Sequence, residues 1–204
     1  ARERLGRALE RMGRTDEAIA AFYDAARRCL AESTYSRAES NCQRILEKRP
    51  RHVGALEILI RVNDATRKEQ AVQRIAMQLA AIHREADDRA SERRVYETLL
   101  ERWPENQEAR RHYVFLLWDL QESRALEAET RRLMEALLRL RRYEEAEETI
   151  ERLRSLGPRE PLFAELAADL YEQWGKNERW GQAARHLADL FRRRNLLERA
   201  ALWL

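Results

Sequence analysis

The chain has 204 residues, enough for one large globular domain or one elongated repeat array. Apolar residues make up 44% and charged residues 37%, with 6 Gly and 4 Pro, so the composition allows a continuous core but excludes a turn-rich β fold. The 39 basic and 36 acidic residues nearly cancel, to +3, which argues against a dedicated nucleic-acid binder, because phosphate neutralisation supplies most of that affinity.

Ala, Leu, Glu and Arg dominate, and all four are strong helix formers. The first predicted helix runs to about Met12. Gly13 ends it, since glycine accepts the left-handed backbone that closes a last turn. Thr15 is expected to cap the second helix, with Asp16 and Glu17 in its first turn facing the positive end of the dipole. That helix carries the stripe Ala18, Ile19, Phe22, Ala25, Ala26, Cys29 and Leu30. A third helix is predicted from Tyr35 to Lys48. The same plan recurs over 52–64, 67–85 and 88–103, over 106–120, 124–140 and 143–156, and over 160–174 and 179–194, with a further start at 195. The links are short and force antiparallel neighbours. The expected fold is all-α, an α-solenoid or superhelix of about 11–12 helices.

Three prolines mark the period. Pro50, Pro104 and Pro158 lie 54 residues apart, each after an apolar-periodic segment that proline cannot continue. Leu79, Leu133 and Leu187 share one slot of this register, and Ala38, Ala146 and Ala200 another. The reading is one domain over 1–204, with units of about 1–50, 51–104, 105–158 and 159–204. The lack of an initiating Met and the ending in mid-pattern lead us to expect a piece of a longer protein. The arginine bias, with lysine only at 48, 68 and 176, hints at a GC-rich bacterial genome.

Within this frame Leu5-Gly6-x2-Leu9 followed by Ala18-x3-Phe22-x2-Ala25 resembles a tetratricopeptide repeat. Ala38-x3-Cys42-x2-Ile45 with Pro50, and Ala146-x3-Ile150-x2-Leu153 with Pro158, resemble second halves of others. The resemblance implies that Gly6 and Ala18 let two helices approach closely while Phe22 fills the space beyond. The sequence departs from the pattern at Arg2, where a large apolar residue is usual, and at Glu92, where a small one is. Its period is three helices rather than one hairpin. The resemblance implies a scaffold that binds a peptide or partner domain in a groove, without enzymatic activity.

Candidate contacts come from the helix at Arg110–Leu120. Its core stripe is read as Tyr113, Val114, Leu117 and Leu120, leaving Arg111, Phe115, Trp118 and Asp119 on a flank. Projection through the 54-residue register adds Arg7 and Arg11 from the first unit and Arg61 from the second. The arginine doublets are read as solvated ion-pair surface, with pairs such as Glu129–Arg132 and Glu148–Arg152.

Two other readings stand beside the scaffold. The run Arg94-Val95-Tyr96-Glu97, Trp103-Pro104-Glu105-Asn106 and Tyr113 resembles the half-a-tetratricopeptide repeats of RNA-processing complexes. Alternatively, Leu202, Trp203 and Leu204 suit a self-assembly module, a homo-oligomer. Catalysis finds no support: the four histidines are scattered, no Cys/His set has zinc spacing, and the glycines form no phosphate loop. No cofactor and no metal are expected. Cys29 and Cys42 lie on apolar stripes and read as buried thiols. No apolar stretch approaches the roughly 18 residues of a membrane span, and a cytoplasmic location is expected.

Overall fold

The computed structural model describes residues 2–203. Among them every regular element is α-helical. The helices are α1 (Arg2–Arg11), α2 (Thr15–Ala31), α3 (Tyr35–Lys48), α4 (Val53–Ala65), α5 (Glu69–Glu85), α6 (Arg89–Arg102), α7 (Gln107–Asp119), α8 (Ser123–Arg139), α9 (Tyr143–Leu156), α10 (Pro161–Trp174), α11 (Asn177–Arg193) and α12 (Leu197–Ala201). The starts of α2, α5, α8 and α11 fall at 15, 69, 123 and 177, and those of α3, α6, α9 and α12 at 35, 89, 143 and 197. The helices therefore recur every 54 residues, three at a time. The chain divides into two compact units, residues 1–102 and 103–204, each described here by itself.

Two kinds of link join the helices. In eight of them one residue enters the left-handed region: Gly13, Ser33, Arg67, Asp87, Gln121, Arg141, Gly175 and Asn195. The next residue's amide then reaches back five positions to a helix carbonyl, as in Arg14 to Leu9, Thr34 to Cys29 and Arg142 to Leu137. This satisfies carbonyls that a helix end leaves unpaired. Six of the eight residues are not glycine, so tertiary packing overrides a backbone preference of about 1 kcal/mol. The other links contain Pro50, Pro104 and Pro158. The expected Thr15 cap is not formed: Thr15 is the first helical residue, and the cap position, Arg14, makes no side-chain cap bond. Side-chain caps come instead from residues such as His52, whose Nδ1 accepts from the Ala55 amide, and Asn106, whose Oδ1 accepts from the Ala109 amide.

Consecutive helices pack as antiparallel pairs around a core of alanine, leucine and isoleucine. Gly6 permits the close approach of α1 and α2, because a Cβ there would lie 2.8 Å from the Phe22 ring. Cys29 and Cys42 are buried free thiols, and burial pushes the Cys42 thiol up to about 12. The alanine slot of the third helices is buried throughout, at Ala38, Ala146 and Ala200. In α6 the same slot holds Glu92, 1% exposed, where Arg84 and Arg89 bind its two carboxylate oxygens at 2.8 and 3.4 Å.

Second-neighbour helices are bridged as well. Arg37 binds Glu3 at 3.1 Å and Arg44 binds Glu10 at 3.2 Å, tying α3 to α1. Arg102 pairs with Asp64 between α6 and α4. In the second unit Arg131 binds Glu165 at 3.2 Å between α8 and α10, and Arg179 pairs with Glu147 between α11 and α9. Within each unit the odd-numbered helices thus form one layer and the even-numbered helices the other. The sequence repeats every three helices while the packing alternates every two, so the sequence-equivalent helices α1 and α4 lie in opposite layers of the first unit. The arginine doublets join these ion pairs only in part. Arg110 is buried and bound to Glu129 at 3.0 Å and to the Pro104 carbonyl at 2.6 Å, a correction to its reading as solvated surface.

Candidate functional site

α7 breaks the charge pattern of its sequence equivalents. The slot held by Glu3 in α1, Glu57 in α4 and Glu165 in α10 is Arg111 in α7. The slot of Glu10, Asp64 and Glu172 is Trp118, and that of Arg7, Arg61 and Asp169 is Phe115. In α1 the two carboxylates hold α3 through Arg37, Arg44 and Lys48. α9 keeps an arginine, Arg152, in the Arg44 slot, but α7 offers it no carboxylate. Arg152 lies over the Phe115 ring instead, 4.2 Å from its centre. The expected Glu148–Arg152 ion pair is replaced by this contact, whereas Glu129–Arg132 forms at 2.6 Å.

Replacing ion pairs by this contact leaves a groove between α7 and α9. It contains two hollows, of about 180 and 110 Å³. Arg111 and Thr149 line both, and Leu133 and Leu137 of α8 line the larger. Arg111 is half-buried and makes no hydrogen bond or ion pair among the described residues. Thr149 is buried, and its hydroxyl donates to the Glu145 carbonyl at 2.7 Å. Gln107 closes the end of the larger hollow. Its Nε2 donates to the Glu105 carbonyl at 3.0 Å, which fixes the amide and leaves Oε1 buried with no partner. Three carboxylates also line the groove. Glu145 is bound by Arg142 at 2.5 Å, while Glu108 and Glu148 stand exposed.

The structure brings together part of the projected set. Arg111 and Phe115 face the groove. Trp118 is turned inward, its ring 5.6 Å from that of Phe163 and packed over Gly157. Asp119 is exposed at the last turn of α7. Arg7 and Arg11 are exposed on α1, with Arg7 bound to Glu3 at 2.5 Å. Arg61 is exposed on α4, in the other layer of the same unit. The core of α7 contains Tyr113, Val114 and Leu117 as expected, with Ala109, Arg110 and Leu116 in addition; Leu120 is half-buried beyond the helix end. Gln107, Thr149 and Arg152 were not among the projected residues. The signal that finds them is the charge reversal at Arg111, which marks α7 as the helix to inspect, together with α9 as its second neighbour.

Two layers of antiparallel helices, bridged between second neighbours and open along one such pair, define a helical-repeat scaffold. The scaffold is a divergent tetratricopeptide-like one: the family model for the tetratricopeptide repeat matches residues 1–34, the segment in which Gly6 and Phe22 interlock. No curated protein matches the chain. Among solved structures it is similar to a tetratricopeptide repeat protein from Parabacteroides merdae, at 19% identity over 91% of this chain and 90% of that one, with a TM-score of 0.31. It is also similar to PilW, a type IV pilus biogenesis factor, at 12% identity over 91% and 90%, with a TM-score of 0.39. A third likeness is to a thermophilic tetratricopeptide protein of Thermus thermophilus, at 18% identity over 99% and 96%, with a TM-score of 0.25. Identities and TM-scores this low carry nothing about partners. No described helix is long and apolar enough to cross a membrane.

Proposed function

We propose that the protein is a protein-interaction scaffold that seats a segment of a partner protein in the groove between α7 and α9. The units of about 1–50, 51–104, 105–158 and 159–204 serve in this reading as repeats of one scaffold domain. The observation that carries it is Arg111, a half-buried cation without a partner in a helix whose sequence equivalents all place a carboxylate at that slot. A half-buried guanidinium without a partner loses part of its hydration for no return, a cost that a bound ligand removes. Phe115 under Arg152 adds the kind of aromatic and arginine surface that interfaces favour. Of the projected residues, Arg111 and Phe115 are the contacts and Trp118 is the support behind them. Arg7, Arg11, Arg61 and Asp119 lie outside the groove.

The test is site-specific photo-crosslinking. A benzoylphenylalanine replaces Phe115 in one variant and Arg61 in another, and the crosslinked partner peptide is identified by mass spectrometry. Crosslinks to a protein segment from position 115 and not from 61 support the reading. Crosslinks from 61 alone, or to RNA rather than protein, overturn it.

A further inference from the structure

We infer that the segment seated in the α7/α9 groove is extended and acidic, with a carboxylate side chain on Arg111 and a main-chain N–H on the Oε1 of Gln107. The inference rests on the reading of the groove as the partner site and adds the chemistry of what fills it.

Two unmet groups lie in one hollow and ask for opposite things. Arg111 has only donors to offer, so its ligand supplies an acceptor. Gln107 Oε1 is an acceptor, buried and unpartnered, and the bond from Nε2 to the Glu105 carbonyl prevents the amide from turning its donor inward. Its ligand therefore supplies a donor. A polypeptide in extended form carries both, since it presents main-chain N–H groups outward between its side chains, as secondary structure would not. A free anion satisfies only Arg111, and an apolar helix satisfies neither.

Charge decides the side chain. Arg111, Arg142 and Arg152 face the groove from the two helices, against Glu108, Glu145 and Glu148. Arg142 and Glu145 satisfy each other. Glu108 and Glu148 are exposed and keep their water, whereas Arg111 sits deeper, on the wall shared by both hollows. The group that loses most by staying unpaired is thus a cation, and an incoming carboxylate forms a charge-assisted, bidentate contact there. Arg152 is held over Phe115 beside the smaller hollow and adds a second positive charge to the carboxylate's surroundings.

The experiment uses the full chain on an array of randomised hexapeptides, each N-acetylated and C-amidated so that chain ends carry no charge. Asp and Glu are expected to be enriched about tenfold over Asn and Gln at one position, a ratio that corresponds to one charge-assisted bond. The enrichment disappears in Arg111→Gln, whose fold is checked by its thermal melt. In the best peptide, methylating the critical main-chain nitrogen lowers affinity about tenfold in the native chain but not in Gln107→Leu. An acid preference that survives Arg111→Gln overturns the inference, as does preference for neutral or basic peptides or no enrichment at all. If position 115 crosslinks a partner segment that is not acidic, this inference fails while the groove reading stands. If the crosslinks map elsewhere, the groove reading itself fails.

Discussion

The Arg152 guanidinium rests over the Phe115 ring at 4.2 Å, whereas Arg44, its counterpart 108 residues earlier, is bound to Glu10 at 3.2 Å. One helix pair is tied by charge and the other by a cation on an aromatic face. Phe115→Ala is therefore expected to lower unfolding free energy by about 0.5–1 kcal/mol, the range for such contacts at exposed sites, and to weaken partner binding more than it weakens the fold. Urea denaturation beside a binding titration separates the two effects. A loss of stability without a loss of binding would place the partner elsewhere.

Gly157 is needed for space and not for its backbone. Its φ is −126°, open to any residue, but a Cβ would lie 2.5 Å from the Trp118 ring and 3.0 Å from Phe163. Gly157→Ala is expected to cost about 1–3 kcal/mol through overpacking, and Trp118→Leu in the same chain should recover most of that. Gly13 is the opposite case, with φ +73° and open space around its Cβ position. Gly13→Ala should cost about 1 kcal/mol through backbone strain alone, and no second substitution should rescue it. Thermal melts of these variants check both arguments.

These two glycines show what the sequence discloses. Gly13 is visible as a helix terminator, but Arg67, Asp87, Gln121 and Arg141 adopt the same left-handed turn without any local signal; only their place in the 54-residue register marks them. The register itself is legible because proline ends a helix by sterics that no context relieves. The groove is legible from one side. Arg111 and Phe115 could be placed on a polar flank of α7, but the wall opposite depends on which helix packs second to it. A three-helix sequence period does not disclose a two-helix packing period. Projection through the register therefore gathers Arg7 and Arg61, although α1 and α4 lie in opposite layers, and passes over Gln107, Thr149 and Arg152.

Glu92 tests a buried charge against its own sequence relatives. It stands where Ala38 and Ala146 stand, and Arg84, which binds it at 2.8 Å, stands where Leu30 and Leu138 stand. Arg84 also donates to the Tyr96 hydroxyl at 2.5 Å. Glu92→Ala removes one partner and is expected to cost about 2–3 kcal/mol, below the range for a fully buried pair because the Arg84 side chain is 39% exposed. Replacing both, as Glu92→Ala with Arg84→Leu, restores the pair found in the other units and should return most of that loss. A double-mutant cycle by urea denaturation measures it, and a double variant less stable than Glu92→Ala would contradict the equivalence of the slots.

Alkaline pH should weaken the first unit through Cys42. Burial raises its thiol from 9.0 to about 12, and burial likewise raises Tyr96, which holds the same slot one period later, from 10.0 to about 12. Both groups are neutral when protonated, and the unfolded chain releases their protons first. Their contribution is therefore fully present below the unfolded values and is lost as pH rises through the folded ones. Stability should hold level up to about pH 9 and fall between there and about pH 12. Cys42→Ala removes one of the two titrations, so its urea midpoint should be lower at neutral pH, from the lost packing, yet decline less steeply across the alkaline window. Thiol labelling gives a second readout. Below about pH 9, Cys42 should react with a disulfide reagent only as fast as the chain opens, because the buried thiol yields little thiolate. A slope equal to that of the native chain in Cys42→Ala would show that another group carries the alkaline transition.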